Sequence, residues 1–197
     1  GVIPLLRKHL GSDVELHLST QASCTNSESA RFYHQLGFSR VILGREASLD
    51  DIKEIKDHNP DLELEVFVHG AMCMAYSGRC LLSAHLAGRS ANSGDCSHSC
   101  RWNFRLGLEE KERPGTYYPI EEYDDYTTIL SSKDLCMIDH VDELVTAGVS
   151  SLKIEGRMKS SYYVAAVTRA YRKALDKDPE ASIYREDLFN VSHREYS

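Results

Sequence analysis

The sequence lacks the features that mark membrane and secreted proteins. No apolar run approaches the roughly 20 residues that a transmembrane helix needs. No segment combines the basic start and the apolar middle of a signal peptide. Six cysteines in 197 residues are too few for a small domain held together by disulfides. We therefore expect a cytoplasmic protein that does not contact a membrane.

Other absences narrow the possible functions. The chain has no His-Glu-x-x-His motif of metalloproteases and no Gly-x-Ser-x-Gly elbow of serine hydrolases. It also has no glycine-rich phosphate loop. The net charge of −7 disfavours a protein that coats nucleic acid without specificity, because phosphate contacts need clustered Lys and Arg.

What the sequence does have is a repeated strand–helix pattern. A helix over 26–37 is predicted to stop at Gly37, and a second is predicted to begin at Ser48, with Asp51 three residues on. A longer helix is predicted from Ser160. Short apolar runs typical of strands alternate with these helices: 14–20, 40–44, 62–70 and 151–156.

Strands and helices at this spacing predict parallel βα units. Four such units are too few for an eight-stranded barrel of about 250 residues. The fold class we predict is therefore α/β, a partial TIM-like barrel from a truncated chain, with an open doubly wound sheet as the alternative.

The middle of the chain breaks this pattern. Alternating apolar residues over 101–108 and short runs at 116–120 and 126–130 predict antiparallel strands. The predicted organisation has four parts: barrel units over 1–100, an inserted β segment over 101–130, returning barrel units over 131–177, and a linker or the start of a further domain over 178–197.

Five of the cysteines fall where such a fold places its functional groups, near the carboxyl ends of strands. Cys73 and Cys80 follow the third strand, Cys96 and Cys100 lie in the next polar loop, and Cys136 is predicted at the start of a helix. These distant segments could therefore meet at one rim of the sheet.

Several chemistries are open to such a set of thiols. Structural zinc sites use close pairs of cysteines, and only Cys96 and Cys100 have that spacing. An iron–sulfur cluster accepts widely spaced thiolates. A catalytic thiol would need a base, for which His69, His85 and His98 are candidates. The alternative is that the cysteines are small buried apolar residues, which we expect for Cys24.

The segment around the first two of these cysteines resembles a known family signature. Glu65-x-Phe67-x-x-Gly-Ala-Met-Cys73, followed by Gly-x-Cys80-x-Leu-Ser, is similar to the signature of the collagenase-like peptidases, peptidase family U32. "HLSTQA" and the stretch 132–175 extend the resemblance over nearly the whole chain. "GDCSHSCRW" and "KIEGRMKS" resemble in particular the members that hydroxylate tRNA at the wobble uridine, forming 5-hydroxyuridine.

The resemblance implies a cofactor and partners. Relatives in tRNA, ribosomal RNA and ubiquinone hydroxylation carry iron–sulfur clusters, which here implies a 4Fe-4S cluster on Cys73, Cys80 and Cys96. For the fourth ligand, the ubiquinone-pathway relatives imply Cys136, which we prefer, whereas proximity in sequence favours Cys100. The resemblance also implies tRNA as a partner and prephenate as a co-substrate. It further implies that the chain lacks the first barrel strands and a C-terminal domain.

Polar residues at strand ends are candidates for binding carboxylates or RNA phosphates. The alternative is that they form ordinary ion pairs at the end of the barrel. Tyr76 and Trp102 could stack on a base or simply pack. Two other functions stay open, a peptidase that uses a thiol or a metal and a non-catalytic scaffold that holds zinc. The polar candidates are Gln21, Arg45, Arg79, Lys153 and Arg157.

Overall fold

The computed structural model of the chain describes residues 2–11, 13–102, 107–119, 133–193 and 196. The strands are β1 (His17–Leu18), β2 (Arg40–Ile42), β3 (Glu63–Ala71), β4 (Gly107–Glu109), β5 (Tyr117–Pro119), β6 (Asp134–Cys136) and β7 (Ser151–Ile154). The helices are α1 (Val2–Leu10), α2 (Ser27–Gln35), α3 (Leu49–His58), α4 (Leu82–Ala87), α5 (Val141–Thr146), α6 (Ser161–Leu175) and α7 (Ala181–Asn190).

The main sheet has five strands, four of which run parallel in the order β1-β2-β3-β7. Helices connect successive strands, as parallel pairing requires. On β3, Leu64, Val66 and Val68 are buried in the apolar core, whereas the alternate residues Glu65 and Phe67 face the other side of the sheet. The predicted βα units are therefore confirmed.

Local hydrogen bonds explain where the helices begin and end. The Asn26 side chain accepts from the amide of Ser29, and the Ser160 side chain accepts from that of Tyr163. Ser48 and Asp51 form a reciprocal capping box at the start of α3. These starts agree with the sequence prediction.

The described residues do not form the predicted partial barrel. β6 pairs antiparallel with the end of β3, with His69 opposite Cys136, so the sheet is mixed and open. The prediction that Cys136 begins a helix was wrong. A strand forms because the buried carboxylate of Asp134 pairs with Arg101, and this holds the segment in line with β3.

The inserted segment and the tail also have structure. β4 and β5 pair antiparallel, as predicted for the insertion. Residues 99–101 form a 3-10 turn rather than a strand, while 103–106 and 126–130 lie outside the described residues. In the tail, where we predicted a linker or the start of a further domain, α7 packs on α6 and buries Leu188 in the core.

No helix in the described ranges is long and apolar enough to cross a membrane.

Candidate functional site

A loop that follows β3 forms one wall of the site. Gly70, the last residue but one of β3, has a φ of +104°, and Gly78 in the loop has a φ of +73°. A Cβ at Gly78 would collide with the carbonyl oxygen of Gln21, so the loop packs directly on the segment after β1. The amide of Ser77 donates to Glu46 at 2.8 Å, which ties the loop to the segment after β2. The loop is therefore fixed at the carboxyl ends of two parallel strands.

Four thiols line one cavity at this place. Cys73, Cys80, Cys96 and Cys100 surround a space of about 130 Å³ that opens to solvent. Cys73 is exposed and the other three are half-buried. The sequence predicted that separate cysteine segments meet at one rim, and for these four residues that prediction is confirmed.

Short polar contacts position the second and third of these cysteines. Asn92 holds the backbone of Cys80 by two hydrogen bonds, accepting from its amide at 2.8 Å and donating to its carbonyl at 2.9 Å. The hydroxyl of Ser83 accepts from the amide of Ser97 at 3.1 Å, which brings the segment of Cys96 against α4. The arrangement is thus built mainly by side chains that bond to backbone.

The thiols affect one another electrostatically. Burial raises the pKa of Cys100, and negative charge on Cys73 raises it further. A positively charged group bound among these thiols would favour the thiolate form of Cys100. Within the described ranges, no three Cys, His, Asp or Glu side chains are grouped as ligands of a single metal ion.

Cys136 lies apart from this set. It is on β6 and is absent from the residues that line the cavity. Burial raises its pKa, and the hydroxyl of Tyr171 lies beside it. The sixth cysteine, Cys24, is fully buried in the core, where desolvation raises its pKa to about 11, in agreement with the packing role expected for it.

The polar residues predicted to bind substrate divide into two groups. Gln21, Arg45 and Arg157 line the thiol cavity. Arg79 is exposed and does not line it, although it precedes Cys80. Lys153 also lies outside the lining and forms an ion pair, as the alternative predicted, but its partner is Glu65, at 2.9 Å, and not the expected Glu155.

Residues that the sequence did not single out complete the cavity. Arg101 donates to the buried carboxylate of Asp134 at 2.8 Å and to the carbonyl of Met72 at 3.0 Å. It therefore links the thiol loops to β6. The signal for this pair was weak, because the two residues lie 33 positions apart.

Two histidines near the cysteines have different surroundings. His98 lines the cavity and has a left-handed φ of +54°. His69 is buried between Tyr171 and Tyr196, outside the cavity. Desolvation lowers the pKa of His69 to about 4. His69 is thus a neutral core residue, and the structure offers it no thiol in the cavity to activate.

These features define a class: an α/β protein with a multi-thiol cavity at the carboxyl ends of parallel strands. The chain belongs to peptidase family U32, whose model matches residues 1–197.

Some relatives are named for RNA hydroxylation and another is named a collagenase. The tRNA hydroxylation protein P of Escherichia coli strain K12 is 40% identical over 238 residues, covering all of this chain and 52% of that protein. The 23S rRNA 5-hydroxycytidine C2501 synthase of the same strain is 42% identical over 163 residues, covering 83% of this chain and 23% of the synthase. A collagenase of Porphyromonas gingivalis is 37% identical over 173 residues, covering 83% of this chain and 40% of the collagenase.

The chain spans about half the length of the first of these relatives. No solved structure matches it.

Proposed function

We propose that this chain is the cofactor-binding part of a cytoplasmic enzyme that hydroxylates RNA, with the wobble uridine of tRNA as the substrate and 5-hydroxyuridine as the product. The observation that carries the proposal is the cavity lined by four thiols. The names of the relatives support the reaction class, since one is a tRNA hydroxylation protein and another a ribosomal RNA hydroxycytidine synthase.

The donor set suits a 4Fe-4S cluster. Cys73, Cys80 and Cys96 would supply three ligands, and they line the cavity together. Such a cluster binds thiolates at the corners of an object larger than one metal ion, so the ligands need not be in mutual contact. When bound, the cluster would supply electron-transfer chemistry.

Two thiols compete for the fourth position. Cys100 lines the same cavity as the other three and its pKa responds to charge on Cys73. Cys136 is implied by the resemblance to the ubiquinone-pathway relatives, but it lies on β6 outside the cavity. The position of Cys100 in the cavity favours it as the fourth ligand, and reconstitution of the cysteine variants decides between the two.

The chain's own residues would bind and orient the reactants. Tyr76 is exposed at the mouth of the cavity and presents a ring on which a base could stack. Trp102 is half-exposed in a neighbouring cleft that shares His98 and Arg101 with the thiol cavity. Prephenate, implied by the family resemblance, would be the anionic co-substrate. Candidates for base stacking therefore line the thiol cavity and the cleft beside it.

A peptidase is the second candidate, because one relative is named a collagenase. Its nucleophile would be one of the cavity thiols, activated by a base or cation beside it, and His98 and Arg101 line the same cavity. Hydrolysis of gelatin that disappears when a single cysteine is replaced would support it over hydroxylation.

The test is anaerobic reconstitution of the chain with iron and sulfide, followed by measurement of bound iron, acid-labile sulfide and visible absorption. The variants are Cys73→Ala, Cys100→Ala and Cys136→Ala, with Cys24→Ala as the matched control because that thiol is buried in the core. We expect about four irons per chain, lost in Cys73→Ala and retained in Cys24→Ala. Loss in Cys100→Ala assigns the fourth ligand to Cys100, whereas loss in Cys136→Ala instead assigns it to Cys136.

Activity is read separately, as 5-hydroxyuridine in digested tRNA from cells whose gene carries the same substitutions. A folded chain that takes up no iron or sulfide would refute the cluster. Unchanged 5-hydroxyuridine in cells with the Cys73→Ala protein would refute the assignment of this cavity to hydroxylation.

A further inference from the structure

Arg45 differs from the other cations of the thiol cavity because its guanidinium has no hydrogen-bond or ion-pair partner among the described residues. Its Nε is buried and unsatisfied. The neighbouring carboxylate, Glu46, accepts instead from the amide of Ser77 at 2.8 Å. A buried donor without a partner costs free energy, so it indicates that something absent from the chain itself satisfies it.

The other two arginines of the cavity are already engaged. Arg101 donates to Asp134 at 2.8 Å, and Arg157 donates to a backbone carbonyl, that of Gly94, at 2.6 Å. A ligand would therefore have to break existing contacts to bind either of them. Arg45 requires no such exchange.

The Arg45 guanidinium also lies over an aromatic ring. The carbon at the centre of its guanidinium lies 4.2 Å from the centroid of the Phe67 ring. Stacking on an aromatic ring leaves the in-plane N–H groups free to point at an acceptor. A planar guanidinium matches the two oxygens of a carboxylate, which it binds by parallel hydrogen bonds.

Arg45 and Met72 line a second cavity as well as the thiol cavity. The second cavity has a volume of about 110 Å³. Apart from Arg45 itself, it is lined by glycine and apolar residues, among them Leu49, Val66, Phe67, Met72, Met137 and Leu144. A cation at the edge of an apolar cavity suits a molecule with one acidic group and an apolar body.

We propose that Arg45 binds the carboxylate of a small organic acid, whose apolar body lies against Phe67 in the second cavity and whose acidic end is thereby held beside the thiols. This inference rests on the proposed function, which already includes an anionic co-substrate, and deepens it by assigning the residue and the cavity that bind it. A phosphodiester of RNA fits this place poorly, because its two sugar substituents would have to enter an apolar space.

The experiment is isothermal titration calorimetry on the whole chain, without iron or RNA. The probes are 3-phenylpropionate, its neutral amide and inorganic phosphate. The variants are Arg45→Ala and Arg45→Lys, with Arg79→Ala as the matched control because Arg79 is exposed and outside the cavity. We expect 3-phenylpropionate to bind at least tenfold more tightly than its amide or phosphate, and its affinity to fall at least tenfold in Arg45→Ala.

Arg45→Lys keeps the charge and removes the forked geometry, so we expect it also to bind the acid more weakly, while Arg79→Ala binds as the unchanged chain does. Equal affinity in the unchanged chain and in folded Arg45→Ala would overturn the inference. So would a preference for phosphate, or tight binding of the neutral amide. Because binding is measured without cluster or RNA, its failure counts against this inference alone, and loss of hydroxylation with binding intact counts against the proposed function alone.

Discussion

At the scale of single residues, Gly78 shows how the backbone positions the thiols. Its φ of +73° is left-handed, and a side chain there would collide with the backbone of Gln21. Gly88 has a similar φ of +64° but open space around it. The two glycines therefore separate the cost of the backbone conformation from the cost of close packing.

We expect Gly78→Ala to lower the free energy of unfolding by clearly more than Gly88→Ala does. Gly88→Ala should cost about 1 kcal/mol, the usual penalty for a left-handed alanine. Gly78→Ala adds displacement of the loop from the segment after β1, and should also reduce iron uptake because Cys80 moves with it. Urea unfolding measures the first effect and iron analysis the second. Equal destabilisation by the two substitutions would show that the loop is not packed as described.

His69 gives a prediction of pH dependence. Desolvation lowers its pKa to about 4, from an ordinary value of 6.5, although the charge of Asp134 opposes the shift. Between these two pH values the unfolded chain binds a proton that the folded chain does not, so the free energy of unfolding falls as the pH falls from about 6.5 to 4. The full effect is about 3 kcal/mol.

The measurement is urea unfolding at pH 7 and pH 4.5 for the unchanged chain and for His69→Gln. We expect the chain with histidine to lose more stability between these values than the glutamine variant, because other titrating groups are common to both. The same loss in both proteins would show that His69 does not cause it.

At the scale of elements, the start of α3 depends on one side chain. The hydroxyl of Ser48 accepts from the amide of Asp51 at 3.2 Å, and the carboxylate of Asp51 accepts from the amide of Ser48 at 2.8 Å. We expect Ser48→Ala to lower the free energy of unfolding by about 1 kcal/mol. Ser182→Ala, at an exposed position in α7, is the control and should change it little. A thermal or urea unfolding series would contradict the prediction if the two variants were equally stable.

The elements that the sequence predicts well are those with strong local signals. Ser48 and Ser160 mark helix starts because capping is a matter of three or four adjacent residues. β6 was missed because its strand conformation comes from pairing with β3 and from the charge of Arg101, both distant in sequence. α7 was missed because its pattern is weak, and Leu188 is its one residue that is fully buried.

At the scale of the whole molecule, the thiol cavity was predictable in part. Parallel strands end at the same edge of a sheet. This places Cys73 and Cys80 at that edge, close to the loop that follows them in sequence. Which thiols of more distant segments join them depends on tertiary contacts. Cys100 lines the cavity because its turn is held by Arg101, whereas Cys136 follows β6 away from it. Cofactor identity and the fourth ligand remain predictions for this reason.

The buried pair of Arg101 and Asp134 joins three parts of the molecule. These are the 3-10 turn that contains Cys100, the strand β6, and the loop that follows β3. Asp134 has no exposed surface, Arg101 lies 2.8 Å from it, and Lys159 is 3.7 Å away. Removing one partner of such a pair leaves the other charge buried without compensation, which typically costs about 3–5 kcal/mol. We expect Asp134→Asn to lower the free energy of unfolding toward that range and to reduce the iron bound after reconstitution, because the turn of Cys100 is no longer fixed to β6.

Asp176→Asn is the control, since it breaks the exposed pair with Arg172 on α6. An exposed pair contributes about 0.5 kcal/mol or less, so this variant should unfold and bind iron almost as the unchanged chain does. If Asp134→Asn were no less stable than Asp176→Asn, the ion pair would not hold the site together. If Asp134→Asn were unstable yet bound iron fully, the ion pair would stabilise the fold without positioning the thiols. The second result would place the link between fold and cofactor in the loop of Gly78, whose contacts with the segment after β1 do not depend on Asp134.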